Sequence, residues 1–360
     1  MFKRLVSILI AAMMLLTLFV GCGKAVENEP AKTEPAKTEA TKAEATKEEA
    51  PAPKPDVKQI VLRLAEIHPK GYPTELGDEE FARLVEEKTE GRIKVEVYFG
   101  AQLGQEKAVI EQVQFGAIDF ARISVSPVAE FAKELNVLTL PYIYRDREHM
   151  WKVLDGPLGD EFLKSVEKAK MIGLNWYDAG ARSFYNSKRE IKSVADIKGL
   201  KIRVQEQKLM MGMITALGGS PTPMPMGDVY SALQTGVIDG AENNWPSYIS
   251  ASHFEVAKFY TVDGHTMVPE ITVASKITMD KISAGDQELI KQAAKEAIAF
   301  QKEKWIAQET SDEEKAKSAG CTVTYLDAAT VTEFQKAVAP LYDEVGADYK
   351  DLIKKIQETK

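Results

Sequence analysis

The sequence predicts an α/β fold made of two similar lobes, and three patterns carry this prediction. From Val57 onward, short apolar strands alternate with amphipathic helices, which is typical of folds with mainly parallel sheets. The pattern Gln-x-Gly-x-Ile-Asp occurs at residues 114–119 and again at residues 234–239. Residues 284–319 contain no proline and predict one helix, long enough to run along both lobes.

The individual elements follow from local periodicity. Residues 93–99 alternate apolar and polar side chains, which predicts a strand. Residues 78–89 predict a helix that buries Phe81 and Val85 and is stopped by Gly91. Further short apolar runs predict strands near residues 61–65, 118–123, 137–141, 171–177, 201–204, 237–241 and 269–274.

The repeated pattern also predicts where a ligand binds. In each copy the glycine ends a helix, and the residues that follow form a strand. The first strand then presents Arg122 and Ser124, and the second presents Glu242 and Asn243. Open α/β sheets bind ligands outside the carboxyl ends of their strands, so we expect these four side chains to face one cleft. A six-residue pattern with four matches can also arise by chance.

Length, charge and motif content exclude several classes of function. The 360 residues suit two domains of about 100–200 residues each. The net charge of -8 argues against a nucleic-acid partner, because such proteins carry a basic surface. The two cysteines, Cys22 and Cys321, rule out a disulfide framework and a thiolate zinc cluster, and the histidines show no metal-ligand spacing. We therefore expect neither a metal nor a cofactor.

The first 56 residues predict an export signal followed by a tether. Residues 1–21 carry two basic residues and then an apolar run, which predicts a lipoprotein signal peptide. Residues 18–22 resemble a bacterial lipobox, in which Cys22 is diacylated and becomes the first residue of the mature protein. Two acyl chains hold a protein stably at a membrane. The rest of residues 22–56 is polar and repetitive, which predicts a disordered linker.

Seven short motifs in the predicted folded part resemble one family. They lie at residues 100–104, 116–119, 140–142, 180–182, 199–204, 220–224 and 239–243. In this order they resemble the solute-binding proteins of TRAP transporters, the tripartite ATP-independent periplasmic family, of DctP type. The resemblance covers about residues 60–330.

The resemblance implies a fold and a role. The family fold is type II periplasmic-binding-protein-like, with two α/β lobes, crossing hinge segments and a long helix that spans both lobes. The implied division is 57–179 for lobe I, 180–267 for lobe II, 268–308 for the return to lobe I with part of the long helix, and 309–360 for a C-terminal segment that packs on lobe II. The implied role is to close on an organic acid and to deliver it to a membrane permease.

The resemblance also implies ligand-binding residues on lobe II. Arg203 matches the family arginine that grips the ligand carboxylate, and a planar guanidinium offers the paired donors that a carboxylate accepts. Arg182 matches a second family arginine, and Asn243 matches an asparagine that completes the pocket. Glu242 either contacts ligand hydroxyls or orients an arginine. Met226 stands where some sialic-acid-binding members have an aromatic residue, which disfavours that ligand.

On lobe I, the loop after the first strand is expected at the cleft mouth. Glu66 and His68 lie in this loop, and His68 either donates to ligand hydroxyls or faces solvent. Arg122 and Ser124 face the same gap if the two lobes are symmetric.

The ligand class follows from the same resemblance. Residues 242–248, 253–258 and 265–270 resemble the branch associated with uronates and related sugar acids. Trp245 and Tyr248 either wall a sugar ring or pack the second lobe. A C4-dicarboxylate or another organic acid is the alternative ligand. A secreted hydrolase is the alternative class, but it would need a nucleophile, a metal cluster or paired carboxylates, and the sequence shows only scattered acids.

The lipobox generates a first prediction. Cys22→Ser removes the thiol that would carry the lipid, so the exported variant should leave the membrane fraction and become soluble. Fractionation of cells that express wild type and variant measures this. A variant that stays with membranes after a salt wash contradicts the lipoprotein hypothesis.

Overall fold

The structure, a computed structural model, describes residues 59–360. The predicted signal peptide, the predicted lipidation site Cys22 and the predicted linker lie outside the described residues. Within residues 59–360, no helix combines the length and the hydropathy that a membrane span requires.

The secondary structure of residues 59–360 comprises eleven strands and thirteen α-helices, several of them single turns. The strands are β1 (Ile60–Ala65), β2 (Ile93–Tyr98), β3 (Phe120–Ser124), β4 (Met171–Tyr177), β5 (Arg182–Asn186), β6 (Lys201–Val204), β7 (Ser220–Pro223), β8 (Gly240–Asn243), β9 (Phe259–Thr266), β10 (Glu270–Ser275) and β11 (Thr322–Tyr325). The helices are α1 (Pro73–Lys88), α2 (Glu106–Gln114), α3 (Val125–Val128), α4 (Arg147–Leu154), α5 (Pro157–Ser165), α6 (Lys208–Ala216), α7 (Val229–Thr235), α8 (Trp245–Ser250), α9 (His253–Val256), α10 (Lys276–Met279), α11 (Ala284–Ser318), α12 (Ala328–Val338) and α13 (Pro340–Glu358).

The strands form two sheets, one in each lobe. The first sheet has the order β2-β1-β3-β10-β4, in which β1 is parallel to β2 and β3, and β10 is antiparallel to both of its neighbours. The second sheet has the order β11-β9-β5-β8-β6-β7, in which β6 is parallel to β7 and β8, and β5 is antiparallel to β8 and β9. The predicted α/β fold with two lobes is confirmed.

The repeated sequence pattern marks equivalent turns in the two sheets. The glycine of each copy follows a helix and has a left-handed backbone, with φ of 72° at Gly116 and 74° at Gly236. That conformation costs a residue with a Cβ atom about 1–2 kcal/mol. The aspartate of each copy accepts a backbone N–H from the neighbouring strand, Asp119 from β1 at 2.8 Å and Asp239 from β6 at 2.9 Å. The repeat therefore positions the start of β3 and of β8 in the same way.

Three segments connect the two lobes. Residues 178–181 lead from β4 to β5, and residues 267–269 lead from β9 back to β10. The third segment is α11, which packs on α1 and β4 of the first lobe and ends with Ala316 in the core of the second lobe. The predicted long helix is confirmed as a single helix of 35 residues.

A side chain near the middle of α11 holds the first of these connections. Gln301 is fully buried, and its Oε1 accepts the backbone N–H of Asp178 at 2.8 Å. Its Nε2 donates to the backbone carbonyl of the same residue at 2.9 Å. Both backbone groups of Asp178 are therefore satisfied by the helix rather than by a sheet, at the point where the chain leaves the first lobe.

Two expectations from the sequence need correction. Residues 137–141 do not form a strand, because residues 133–139 form a 3-10 helix that buries Val137 and Leu138. A short buried apolar run does not distinguish a strand from a helical turn.

The C-terminal segment does not pack on the second lobe alone. Although β11 joins the second sheet, α13 contacts both that 3-10 helix of the first lobe and α6 of the second lobe.

The Gln301 contact generates the second prediction. Gln301→Leu keeps the size of the side chain but leaves two buried backbone groups unpaired, each at a cost of about 1–3 kcal/mol. We expect the free energy of unfolding to fall by about 2–6 kcal/mol. Gln292→Leu, an exposed position on the same helix, is the matched control and should change it by less than about 0.5 kcal/mol. Urea unfolding at pH 7 measures both. Equal stabilities of the two variants contradict the anchoring role.

Candidate functional site

A polar cavity lies between the two sheets, at the ends of β3, β6 and β8. Seven of the nine ligand-binding residues expected from the sequence line it: His68, Arg122, Ser124, Arg182, Arg203, Met226 and Asn243. The other two, Glu66 and Glu242, do not line it, and each lies behind an arginine.

The first-lobe wall is organised around a buried guanidinium. Arg122 is 1% exposed, and its Nε donates to Glu66 Oε2 at 2.6 Å while Nη2 donates to Glu66 Oε1. Its Nη1 donates to Glu270 Oε2 at 2.6 Å. Burial raises the pKa of Glu66, but Arg122 and His68 together outweigh burial and hold that pKa well below its ordinary value. Glu66 is therefore an ionised support for Arg122.

His68 belongs to the same wall. Its ring stacks on Tyr72 with centroids 3.8 Å apart, and its Nδ1 lies 2.9 Å from Glu66 Oε1. Burial and the nearby Arg122 charge lower the pKa of His68, although Glu66 opposes them. A neutral imidazole thus lines the cavity, which answers the question whether His68 faces the cleft or bulk solvent.

The second-lobe wall contains a guanidinium whose donors are already used. Arg182 Nε donates to Glu242 Oε2 at 2.5 Å, and Nη1 donates to Asn243 Oδ1 at 2.7 Å. Its Nη2 donates to the Glu242 carbonyl at 2.8 Å. Burial raises the pKa of Glu242, but Arg182 and His265 outweigh burial and lower it to about 2. Of the two roles expected for Glu242, the geometry therefore supports orienting an arginine.

The two lobes carry the same ion pair with its polarity reversed. Residues 122 and 242 are equivalent, because each stands three positions after the aspartate of the repeated pattern. The first is arginine and the second is glutamate. In each lobe the antiparallel strand that enters from the other lobe supplies the opposite charge, Glu270 on β10 and Arg182 on β5.

Arg203, on β6, differs from the other two arginines of the cavity. It is 3% exposed, and its Nε and Nη2 both donate to the Met224 carbonyl, at 2.9 and 2.7 Å. It takes part in none of the ion pairs found among residues 59–360. Burial and the neighbouring Arg182 charge lower its pKa, although Glu242 opposes them. Arg203 is thus a buried cation that is held in place by a neutral oxygen.

Hydrogen bonds connect the two walls directly. Gln205 Nε2 of the second lobe donates to Ser124 Oγ of the first lobe at 2.7 Å. The hydroxyls of Tyr72 and Ser247, one from each lobe, lie 2.8 Å apart. These contacts place the lobes in a closed arrangement around the cavity.

Some lining residues were missed by sequence reasoning, among them Glu106, Gln205 and Glu270. Glu270 is the first residue of β10, and because β10 is antiparallel to β3, its start lies beside the carboxyl end of β3. The rule that ligands bind at the carboxyl ends of strands therefore does not predict Glu270. Gln205 could have been found, since it lies two positions beyond Arg203 on the same side of an extended chain.

The aromatic residues Trp245 and Tyr248 pack the second lobe rather than wall the cavity. Trp245 stacks on Tyr260 with ring centroids 3.6 Å apart, and the Tyr248 hydroxyl donates to the Ala257 carbonyl at 2.7 Å. Met226 does line the cavity, and Asn243 Nδ2 lies 3.7 Å from its sulfur.

Two α/β lobes that enclose a small polar cavity with buried arginines are typical of solute-binding proteins. The chain belongs to the family described as bacterial extracellular solute-binding protein, family 7, whose DctP model matches residues 64–348. The predicted relation to the solute-binding proteins of TRAP transporters is confirmed.

Similar proteins agree with this assignment. A TRAP periplasmic solute-binding protein from Bradyrhizobium sp. BTAi1, in complex with α/β-D-galacturonate, is 44% identical with a TM-score of 0.81, covering 83% of this chain and 99% of that one. A second, from Pseudomonas putida F1 with bound D-glucuronate, is 39% identical with a TM-score of 0.81, covering 84% and 98%. A solute-binding protein from Chromohalobacter salexigens is 38% identical over 79% of this chain and 84% of its own length.

The third prediction concerns His265, which lies behind Glu242. Its Nδ1 is 2.9 Å from Asp263 Oδ2, and its Nε2 is 3.4 Å from Glu242 Oε2. Burial lowers the pKa of His265, but the two carboxylates outweigh burial and raise it to about 9. Because the pKa in the folded state is above the ordinary value, the stabilisation is complete below pH 6.5 and is lost as the pH rises through about 9.

We therefore expect the free energy of unfolding to decrease between pH 6.5 and pH 9.5, by up to about 3 kcal/mol. Glu270, whose pKa burial raises to about 7, completes its titration in the lower part of this range. The decisive interval is therefore pH 8–9.5. Urea unfolding at several pH values measures the decrease, and His265→Asn should remove it. A wild type whose stability is constant over this interval contradicts a charged His265.

Proposed function

We propose that this protein binds a sugar acid, with a uronate as the first candidate, and that Arg203 binds the ligand carboxylate. The observation that carries the proposal is the state of Arg203. A buried cation without a carboxylate partner is unfavourable on its own, and a carboxylate ligand would supply the missing charge. Arg182 and Arg122 are already paired with Glu242 and Glu66. A ligand therefore gains most from Arg203.

The rest of the cavity suits a hydroxylated ligand. Its lining includes the side chains of Gln205, Asn243, Asn244 and Ser247, which offer amide and hydroxyl groups to ligand hydroxyls. The relatives from Bradyrhizobium and Pseudomonas that hold galacturonate and glucuronate support the same ligand class.

Other organic acids, including C4-dicarboxylates, are the second candidate ligands for the same site.

We propose binding without chemical conversion of the ligand. The support for this is the family itself, which is one of transport proteins. Conversion of galacturonate by the purified protein would identify a hydrolase or a related enzyme instead.

The proposed mechanism is capture by lobe closure. With lobe I at 57–179, lobe II at 180–267 and the return at 268–308, the hinges coincide with the connections at 178–181 and 267–269. A ligand that contacts both walls favours the closed state through contacts that the open state lacks. The closed protein then delivers the ligand to a TRAP permease, while a lipid on Cys22 keeps it at the membrane.

The fourth prediction tests the carboxylate contact. Arg203→Ala should weaken binding of galacturonate at least about thirtyfold, because removing one partner of a buried charge pair costs about 2–5 kcal/mol. Arg203→Lys should restore little of this loss, since an ammonium keeps the charge but not the two-pronged geometry. Galactose, which lacks the carboxylate, should bind wild type much more weakly than galacturonate.

Isothermal titration calorimetry measures these affinities. Lys201→Ala, an exposed cation on the same strand, is the matched control and should leave the affinity for galacturonate unchanged. Equal binding of galacturonate and galactose contradicts the sugar-acid proposal as a whole. Binding of galacturonate by Arg203→Ala as tight as by wild type contradicts the role of this residue.

A further inference from the structure

The two walls of the cavity differ in their charge. On the first lobe, the carboxylates of Glu66, Glu106 and Glu270 surround one guanidinium, that of Arg122. On the second lobe, two guanidiniums, those of Arg182 and Arg203, are accompanied by one carboxylate, that of Glu242, which pairs with Arg182. One wall therefore has an excess of negative charge and the opposite wall has an excess of positive charge.

Two of the first-lobe carboxylates face the cavity itself. Glu106, at the start of α2, and Glu270, at the start of β10, both line it, and their side chains are 14% and 7% exposed. Glu106 Oε1 accepts the backbone N–H of Ser124 at 2.8 Å, and Glu270 Oε2 accepts from Arg122 Nη1. Among the described residues, the second oxygen of each carboxylate has no hydrogen-bond donor. Each therefore has an acceptor atom left for a ligand.

We propose that Glu106 and Glu270 are specificity-determining residues that restrict the ligand to monoacids with a hydroxylated far end. This inference rests on the proposed function, because it takes Arg203 as the position of the single ligand carboxylate. Ligand hydroxyls at the first-lobe wall donate to the free carboxylate oxygens. A second ligand carboxylate would face Glu106 there, and also Glu270 above the pKa of about 7 that burial gives this residue. Like charges placed together at a buried interface are strongly unfavourable.

The geometry also explains why Arg122 does not accept such a second carboxylate. Its Nε and Nη2 are used by Glu66, and its Nη1 is used by Glu270, so its donors are occupied on both sides of the guanidinium. The burial of Arg122 and Glu66, with no exposed side-chain surface, keeps this pair from opening toward the ligand. The proposal therefore separates sugar monoacids from aldaric acids and from C4-dicarboxylates, although all of them carry a carboxylate.

The test compares galacturonate with galactarate, which has the same carbon chain with a carboxylate at each end. Calorimetry at pH 8, where Glu270 is ionised, on wild type, Glu106→Gln and Glu270→Gln gives the ratio of the two affinities for each protein. Wild type should prefer galacturonate at least about a hundredfold, as expected for like-charge repulsion at a desolvated site. Each Gln variant keeps the shape of the side chain and should reduce this preference at least about tenfold, by improving the binding of galactarate.

Glu111→Gln is the matched control, because it removes one negative charge from an exposed position on the same helix as Glu106. It should leave the ratio unchanged. The ratio is informative even where a Gln variant weakens both ligands, since a loss common to both cancels. The difference in shape between a ring and an open chain is the same in every variant and cancels as well.

The possible outcomes separate this inference from the proposed function. If wild type binds galactarate as tightly as galacturonate, or if both Gln variants keep the wild-type ratio, the role of Glu106 and Glu270 is refuted while the Arg203 contact stands. If galactarate shows no measurable binding to any variant, the two glutamates are not what excludes it, and the inference is again refuted. If neither acid binds wild type, the sugar-acid function fails and the inference fails with it.

Discussion

The arrangement of this protein depends on placing three arginine side chains in a cavity that is almost closed to water. An isolated charge in such surroundings is strongly unfavourable, and it is tolerated only when opposite charge and hydrogen-bond acceptors surround it. Arg122 and Arg182 meet this requirement with carboxylates that belong to the fold. Arg203 has only a hydrogen-bond acceptor, the Met224 carbonyl, and in the proposed function the ligand carboxylate supplies the opposite charge.

The reversed ion pairs show how similar lobes make an asymmetric site. Both lobes use a strand that follows the repeated pattern and an antiparallel strand contributed by the chain as it returns from the other lobe. Exchanging the charges at these positions keeps each pair neutral and each scaffold intact. The polarity of the cavity then comes from the additional charges of each wall, Arg203 on one and Glu66 and Glu106 on the other. A small molecule with one charged end has a single favourable orientation in such a field.

Much of the fold could be predicted because it rests on local signals. The repeat around Gly116 and Gly236 predicted equivalent turns, since only glycine adopts that backbone without strain, and the proline-free stretch predicted α11. The 3-10 helix at residues 133–139 was mistaken for a strand because burial removes the polar positions that reveal a period. The contacts of α13 with both lobes depend on how distant elements pack, and no local pattern encodes them.

The cavity was predictable where sequence motifs and strand ends coincide, as at Arg203 and Asn243. The place of Glu270 in the cavity was not predictable, because Glu270 reaches the cavity only through the antiparallel pairing of β10 with β3. The supporting roles of Glu66 and Glu242 depend on partners 56 and 60 residues away in the chain. A carboxylate that lines a pocket and one that supports an arginine from behind look the same in a sequence. Three-dimensional proximity alone distinguishes them.

The hydrogen bonds between the lobes bear on how quickly the protein can work. The pairs Gln205–Ser124 and Tyr72–Ser247 join protein atoms only, so they stabilise the closed form to the same extent for every ligand. A closed form that is stable by itself raises apparent affinity, because a larger fraction of the protein is competent to bind. It also lengthens the residence time of the ligand, since these bonds must break before the ligand leaves. The same two pairs thus favour capture at low solute concentration and slow the release of the ligand.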